Sequence, residues 1–142
     1  MAKAKIPAQL RHRIEQAAGY RCGYCLTPQE ISGAKMQVDH IWPEAAGGGT
    51  TEDNLWLACV SCNRAKHNHT HCQDPLSRET VRLFNPRTQD WGEHFAWSPD
   101  GTRIVGLTPC GRGTIERLRM NDLDIVTARY LWVQAGWWPP EQ

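Results

Sequence analysis

The sequence predicts an α+β fold, on three observations. An amphipathic stretch near the N-terminus has helical spacing. Two short β-type runs, MQVDHI and LWLA, flank a glycine-containing loop. A Ser-Pro-Asp-Gly turn followed by helical stretches closes the chain.

Taken in order, residues 6–19 read as a helix. Pro7 suits the first turn, Leu10, Ile14 and Ala17 or Ala18 form one apolar stripe, and Gly19 is a C-terminal stop. Residues 27–35 are turn-rich. Residues 36–41 and 55–58 read as strands, separated by a loop that contains Pro43 and Gly47-Gly48-Gly49. A short helix is expected from Cys62 onward. Residues 73–90 are polar, contain Pro75 and Pro86, and read as a connection. Residues 94–97 and 102–107 read as a hairpin on the turn at 98–101. Residues 114–120 suggest a short helix. Asn121, Asp122 and Asp124 suggest the cap of a last helix that runs to about Ala135, with Leu123, Val126, Tyr130 and Val133 as its apolar face and Gly136 as its stop. Most of the seven tryptophans are expected in the core, where large aromatics supply buried area.

A chain of 142 residues with 40% apolar and 22% charged content fits one soluble domain over residues 1–142. No run approaches the ~18 apolar residues of a membrane span. The N-terminal stretch has lysines but no apolar segment of the secretory kind, so a cytoplasmic location is expected. A net charge of +1 does not by itself announce a nucleic-acid partner. Its distribution says more: residues 1–25 and 64–87 are basic, while Asp39, Glu44, Glu52 and Asp53 lie between them. A basic rim around an acidic centre suits a metal-dependent phosphodiester site.

Four of the six cysteines fall as Cys22-x2-Cys25 and Cys59-x2-Cys62. Two such turns each aim two sulfurs at one point and together supply a tetrahedral zinc shell. That shell is closed, so the zinc it implies is structural. Cys72 and Cys110 are left as free thiols.

Asp39 and His40 stand together in V38-D39-H40-I41-W42-P43. In a regular strand they would point to opposite faces, so serving one site requires the strand to end, twist or bulge there. Pro43 supports an ending. Asn54 and Asn63 are brought near by the second strand and the helix that follows it, and Asn63 directly follows the last cysteine of the second pair.

This order, D39-H40-I41-W42-P43, G47-G48-G49, N54-L55 and C59-V60-S61-C62-N63-R64-A65-K66, resembles the HNH nuclease family with its ββα-metal fold. R21-C22-G23-Y24-C25 resembles that family's four-cysteine zinc branch. The resemblance covers residues 7–70 as a nuclease core and leaves 71–142 as a C-terminal extension, whose L83–T108 stretch looks like the tail of small free-standing members. Glu44-Ala45-Ala46 departs from the family in lacking a small hydroxyl residue before the glycines.

The resemblance implies a DNA endonuclease. His40 would be the general base, Asp39 and Asn63 would hold a catalytic magnesium or manganese, and Asn54 would brace the loop and help orient the imidazole. Products would carry 5′-phosphate and 3′-hydroxyl ends. Arg64, Lys66 and His67 are candidate nucleic-acid contacts, the first two to backbone phosphates. Two other readings stay open: a zinc-stabilised nucleic-acid-binding module without cleavage, and an RNA-cleaving nuclease on the same motif. No base-reading arm stands out, and monomer and weak homodimer are both compatible with the sequence.

Overall fold

The computed structural model describes residues 5–140, which group into two compact units. The first takes residues up to 70 together with 85–88. The second takes 71–84 and the chain from 89 onward. Among the described residues no helix is long and apolar enough to cross a membrane.

The first unit opens with α1 (Ala8–Ala18), entered from Pro7 and closed by Gly19 in the left-handed conformation (φ 64°). Ile14 and Ala18 of its stripe are buried. The first cysteine turn follows, held by Cys22 N–H to the Thr27 carbonyl and Leu26 N–H to the Cys22 carbonyl, both 3.0 Å. The short helix α2 (Gln29–Ser32) occupies the turn-rich stretch. Strands β1 (Gln37–His40) and β2 (Leu55–Ala58) pair antiparallel, with Asp39 opposite Trp56 and His40 opposite Leu55. The intervening loop contains two 3₁₀ turns, Glu44–Ala46 and Glu52–Asn54.

Helix α3 (Val60–Lys66) begins before the expected Cys62. Cys59 is its N-cap, and the Cys59 sulfur accepts the Cys62 N–H at 3.4 Å. The first cysteine turn is fastened to β2 by Gly23 N–H to the Leu57 carbonyl at 2.9 Å. A Cβ on Gly23 would lie 2.2 Å from the Trp56 ring, so this approach requires glycine. Segment 85–88 packs here too: the Arg87 guanidinium lies over Trp56 and donates to the Leu55 carbonyl.

The second unit contains a hairpin where a connection was expected: β3 (His71–Gln73) pairs with β4 (Thr80–Arg82). Each strand is three residues long, and only Cys72 is buried, so no alternation marks them in the sequence. The turn is built by Asp74, whose carboxylate accepts from the Leu76 and Ser77 amides and the Ser77 hydroxyl. Helix α4 (Trp91–His94) leads into the expected hairpin of β5 (Phe95–Trp97) and β6 (Ile104–Gly106). Helix α5 (Pro109–Leu118) starts five residues before the expected Thr114, because Thr108 caps it and Pro109 suits its first turn.

Helix α6 (Leu123–Gln134) corrects the expected apolar face. Leu123 is 75% exposed and Tyr130 is 55% exposed, whereas Arg129 is wholly buried. Arg129 donates to the carbonyls of Thr102 and Met120 and to Asn121 Oδ1, and its guanidinium lies over the Trp97 ring. Asn121 is not the cap. Its amide pairs with the backbone of Ile104, and Asp122 takes the cap position. The tryptophan expectation is also too broad: Trp91 and Trp138 are buried, but Trp137 is 63% exposed.

Candidate active site

The two cysteine turns converge. The sulfurs of Cys22, Cys25, Cys59 and Cys62 all lie within 4.8 Å of one another, and Cys25 and Cys59 are 3.8 Å apart. A tetrahedral zinc with arms of about 2.3 Å spaces its sulfurs about 3.8 Å apart, so the cluster fits that ion. Burial pushes the Cys22 thiol well up, and neighbouring sulfurs push Cys62 up. Four thiolates packed this closely repel one another, which a cation between them would offset. Cys72 and Cys110 stand outside the cluster as free thiols.

Next to the cluster, β1 ends at His40, and the end lets both members of the Asp-His pair reach one cleft. The cleft encloses about 610 Å³ and is lined by Asp39, His40, Glu44, Asn63, Arg64 and His67, among others. His40 is largely buried, and its Nε2 lies 2.9 Å from the Thr50 hydroxyl and 3.3 Å from a Glu44 carboxylate oxygen. Asn63 donates from its amide nitrogen to Gln37 Oε1, leaving its carbonyl oxygen available as an acceptor.

Asn54 closes the loop. Its Oδ1 accepts the Trp42 N–H at 2.8 Å, and its Nδ2 donates to the carbonyls of Trp42 and Gly49 at 2.9 and 2.8 Å. These bonds fold the loop so that Thr50 reaches His40. Asn54 itself is not among the residues that line the cleft.

Asp39 is 4% exposed, and both of its oxygens are engaged. Tyr24 donates its hydroxyl to Oδ2 at 2.8 Å, and Lys66 donates Nζ to Oδ1 at 3.2 Å. Burial pushes the Asp39 carboxyl above its usual range, while Lys66 and Tyr24 pull against that shift. Burial and the adjacent Asp39 charge push the Tyr24 phenol well up, so it remains a donor.

Lys66 departs from the expected phosphate contact. It is 1% exposed, and its ammonium is committed to Asp39 and to the His40 carbonyl at 2.8 Å. Helical spacing carried the signal for this burial. Lys66 lies four residues after Cys62, on the face that packs inward. Arg64 and His67 are exposed on the cleft. His67 does not continue the helix, however: it is the C-cap, at φ 48°. Tyr24 and Thr50 were not singled out from the sequence, and Glu44 was noted only as part of an acidic stretch. Tyr24 alone had a readable cue, standing between the two cysteines of the first pair.

Residues 22–69 match the family model for HNH endonuclease. They are an HNH endonuclease domain. The match contains all four clustered cysteines, Asp39, His40, Asn54 and Asn63, and an HNH domain implies a ββα-metal core, here β1, β2 and α3. No curated protein and no solved structure matches the chain.

Proposed function

We propose that the chain is a metal-dependent DNA endonuclease that hydrolyses phosphodiester bonds, with residues 7–70 as its nuclease core. The observation that carries this reading is the meeting of Asp39, His40 and Asn63 on one cleft of the HNH domain. Each Asp39 oxygen accepts one hydrogen bond and keeps a further lone pair, and the Asn63 carbonyl oxygen is left as an acceptor while its amide nitrogen donates to Gln37. These oxygens suit a hard divalent cation that keeps several waters. Bound there, magnesium or manganese supplies charge stabilisation for the scissile phosphate and the leaving oxygen.

His40 does the proton work. As a neutral imidazole it removes a proton from the attacking water while the new O–P bond forms and the P–O3′ bond breaks. Solvent then protonates the 3′ oxygen, leaving 5′-phosphate and 3′-hydroxyl ends. Asn54 acts indirectly, by holding the loop that places Thr50 against His40. Arg64 and His67 lie where they can meet backbone phosphates along the cleft. The four cysteines hold structural zinc and give β2 and α3 a fixed relation to the first turn.

The test is cleavage of supercoiled plasmid by zinc-loaded protein, with magnesium or manganese supplied or withheld. His40→Ala is expected to lower the cleavage rate by about 10²–10⁴-fold at unchanged zinc content. A folded wild-type protein that shifts DNA in a gel but never nicks it would establish the alternative, a zinc-stabilised binding module. Cleavage of RNA with DNA left intact would reassign the substrate.

A further inference from the structure

We infer that Lys66 and Tyr24 are positioning residues that fix the Asp39 carboxylate and the Asp39–His40 backbone relative to the cleft. The inference rests on the reading of Asp39 as a metal ligand. Lys66 projects from α3, the helix that also carries Asn63 and Cys62. Its Nζ reaches Asp39 Oδ1 at 3.2 Å and the His40 carbonyl at 2.8 Å. One ammonium thus holds the side chain of one site residue and the backbone of the next. Tyr24 comes from the first cysteine turn and holds the other carboxylate oxygen at 2.8 Å. Turn, strand and helix therefore meet on one carboxylate, with a donor on each oxygen to set its rotation.

Stability alone gives a weak account of this arrangement. A buried ion pair is often no better than a packed apolar pair of similar volume, because both charges lose their water. What the pair and the phenol supply is direction. A carboxylate held by two donors presents its remaining lone pairs along fixed lines, and partners of this kind are worth about 10–100-fold in metal affinity where they have been removed from metal sites. The full burial of Lys66 also removes it from the phosphate-binding surface.

The experiment compares wild type, Tyr24→Phe, Lys66→Met and Asp39→Asn, each checked for zinc content and thermal unfolding. Manganese affinity is measured by electron paramagnetic resonance, beside kcat and KM for plasmid cleavage. Tyr24→Phe removes one oxygen and is expected to keep zinc and fold. Both positioning variants are expected to bind manganese about 10–100-fold more weakly, with KM for DNA unchanged. A folded, zinc-loaded Tyr24→Phe with wild-type manganese affinity overturns the proposal, and so does a lowered melting temperature as the sole effect. For Lys66→Met, a raised KM with a shallower salt dependence and intact manganese affinity would return Lys66 to a phosphate. If Asp39→Asn binds manganese as well as wild type, the reading of Asp39 as a ligand fails, and the positioning role fails with it. That result is distinct from a manganese site that needs Asp39 but ignores its two partners.

Discussion

Asp74 shows how one buried carboxylate ties a turn together and sets a pH dependence. It is fully buried, and Arg112 donates to it through two nitrogens, both at 2.9 Å. Arg112 first, against burial, and then Ser77 and the amides of Leu76 and Ser77 hold the Asp74 carboxyl well below the usual carboxylate range. The unfolded chain therefore takes up this proton at a higher pH than the folded chain does. The contribution to stability is complete above the unfolded value of about 3.9 and is lost as pH falls toward the lower folded value. Asp74→Asn is expected to be less stable at pH 7 and to lose less on acidification below about pH 4. Thermal unfolding of both proteins across pH 2.5–7 checks this, since their difference separates Asp74 from acid release of the metal. Parallel curves would show that Asp74 does not carry the effect. The residue-scale reading of position holds for Asp39 and His40, which the end of β1 brings to one cleft. It was weakest at Lys66, where a formal charge suggested solvent and the helix face dictated burial.

At the scale of elements, the loop between β1 and β2 has the most exacting geometry. Gly48 donates its N–H to the Pro43 carbonyl at 2.9 Å, and a Cβ there would lie 1.7 Å from the Trp42 carbonyl oxygen. Because the obstacle is backbone, relief requires the loop to open, away from the Asn54 bonds that bring Thr50 to His40. Gly48→Ala is expected to cost about 1–3 kcal/mol and to abolish most cleavage. Gly49→Ala, whose nearest obstacle is 3.8 Å away, is expected to change stability by about 0.5 kcal/mol or less. Chemical denaturation and plasmid nicking on both variants test the contrast. The triple glycine was visible in the sequence, but which glycine meets the backbone depends on how the loop closes. The β3–β4 hairpin was hidden for a related reason. Its strands are too short for periodicity, and its turn is made by a buried side chain whose partner Arg112 lies 38 positions away in the chain.

At the scale of the molecule, the first unit is expected to depend on a metal held by its four-cysteine cluster. Its sheet has two strands of four residues, and a two-stranded sheet is marginal in water on its own. The cysteine cluster joins residues 34 or more positions apart in the chain, across Cys25 and Cys59, and so supplies a long-range tie. One zinc per chain is expected by elemental analysis. Removing it with a strong chelator is expected to release the amide protection of β1, β2 and α3, because binding energy at such a site is folding energy. Hydrogen exchange of the zinc-free protein measures this directly. Retained protection in β1 would mean that packing around Ile14, Leu55 and Leu57 holds the unit unaided.

The sequence by itself determined the cysteine cage, the two central strands, the helix that follows them and the motif that identifies the HNH domain. These features rest on local spacing: two cysteines in a turn, alternation along a strand, a proline or glycine at a boundary. Tertiary structure alone decided the partners of Asp39 and Lys66, the approach of Glu44 and Thr50 to His40, and the choice of Arg129 as the inward residue of α6. Helix α6 is apolar on more than one side, so its periodicity could not select a face, and the carbonyls waiting near Arg129 made the selection. Polar groups bury where partners from distant parts of the chain converge on them, and that convergence has no signature in a residue's immediate neighbours.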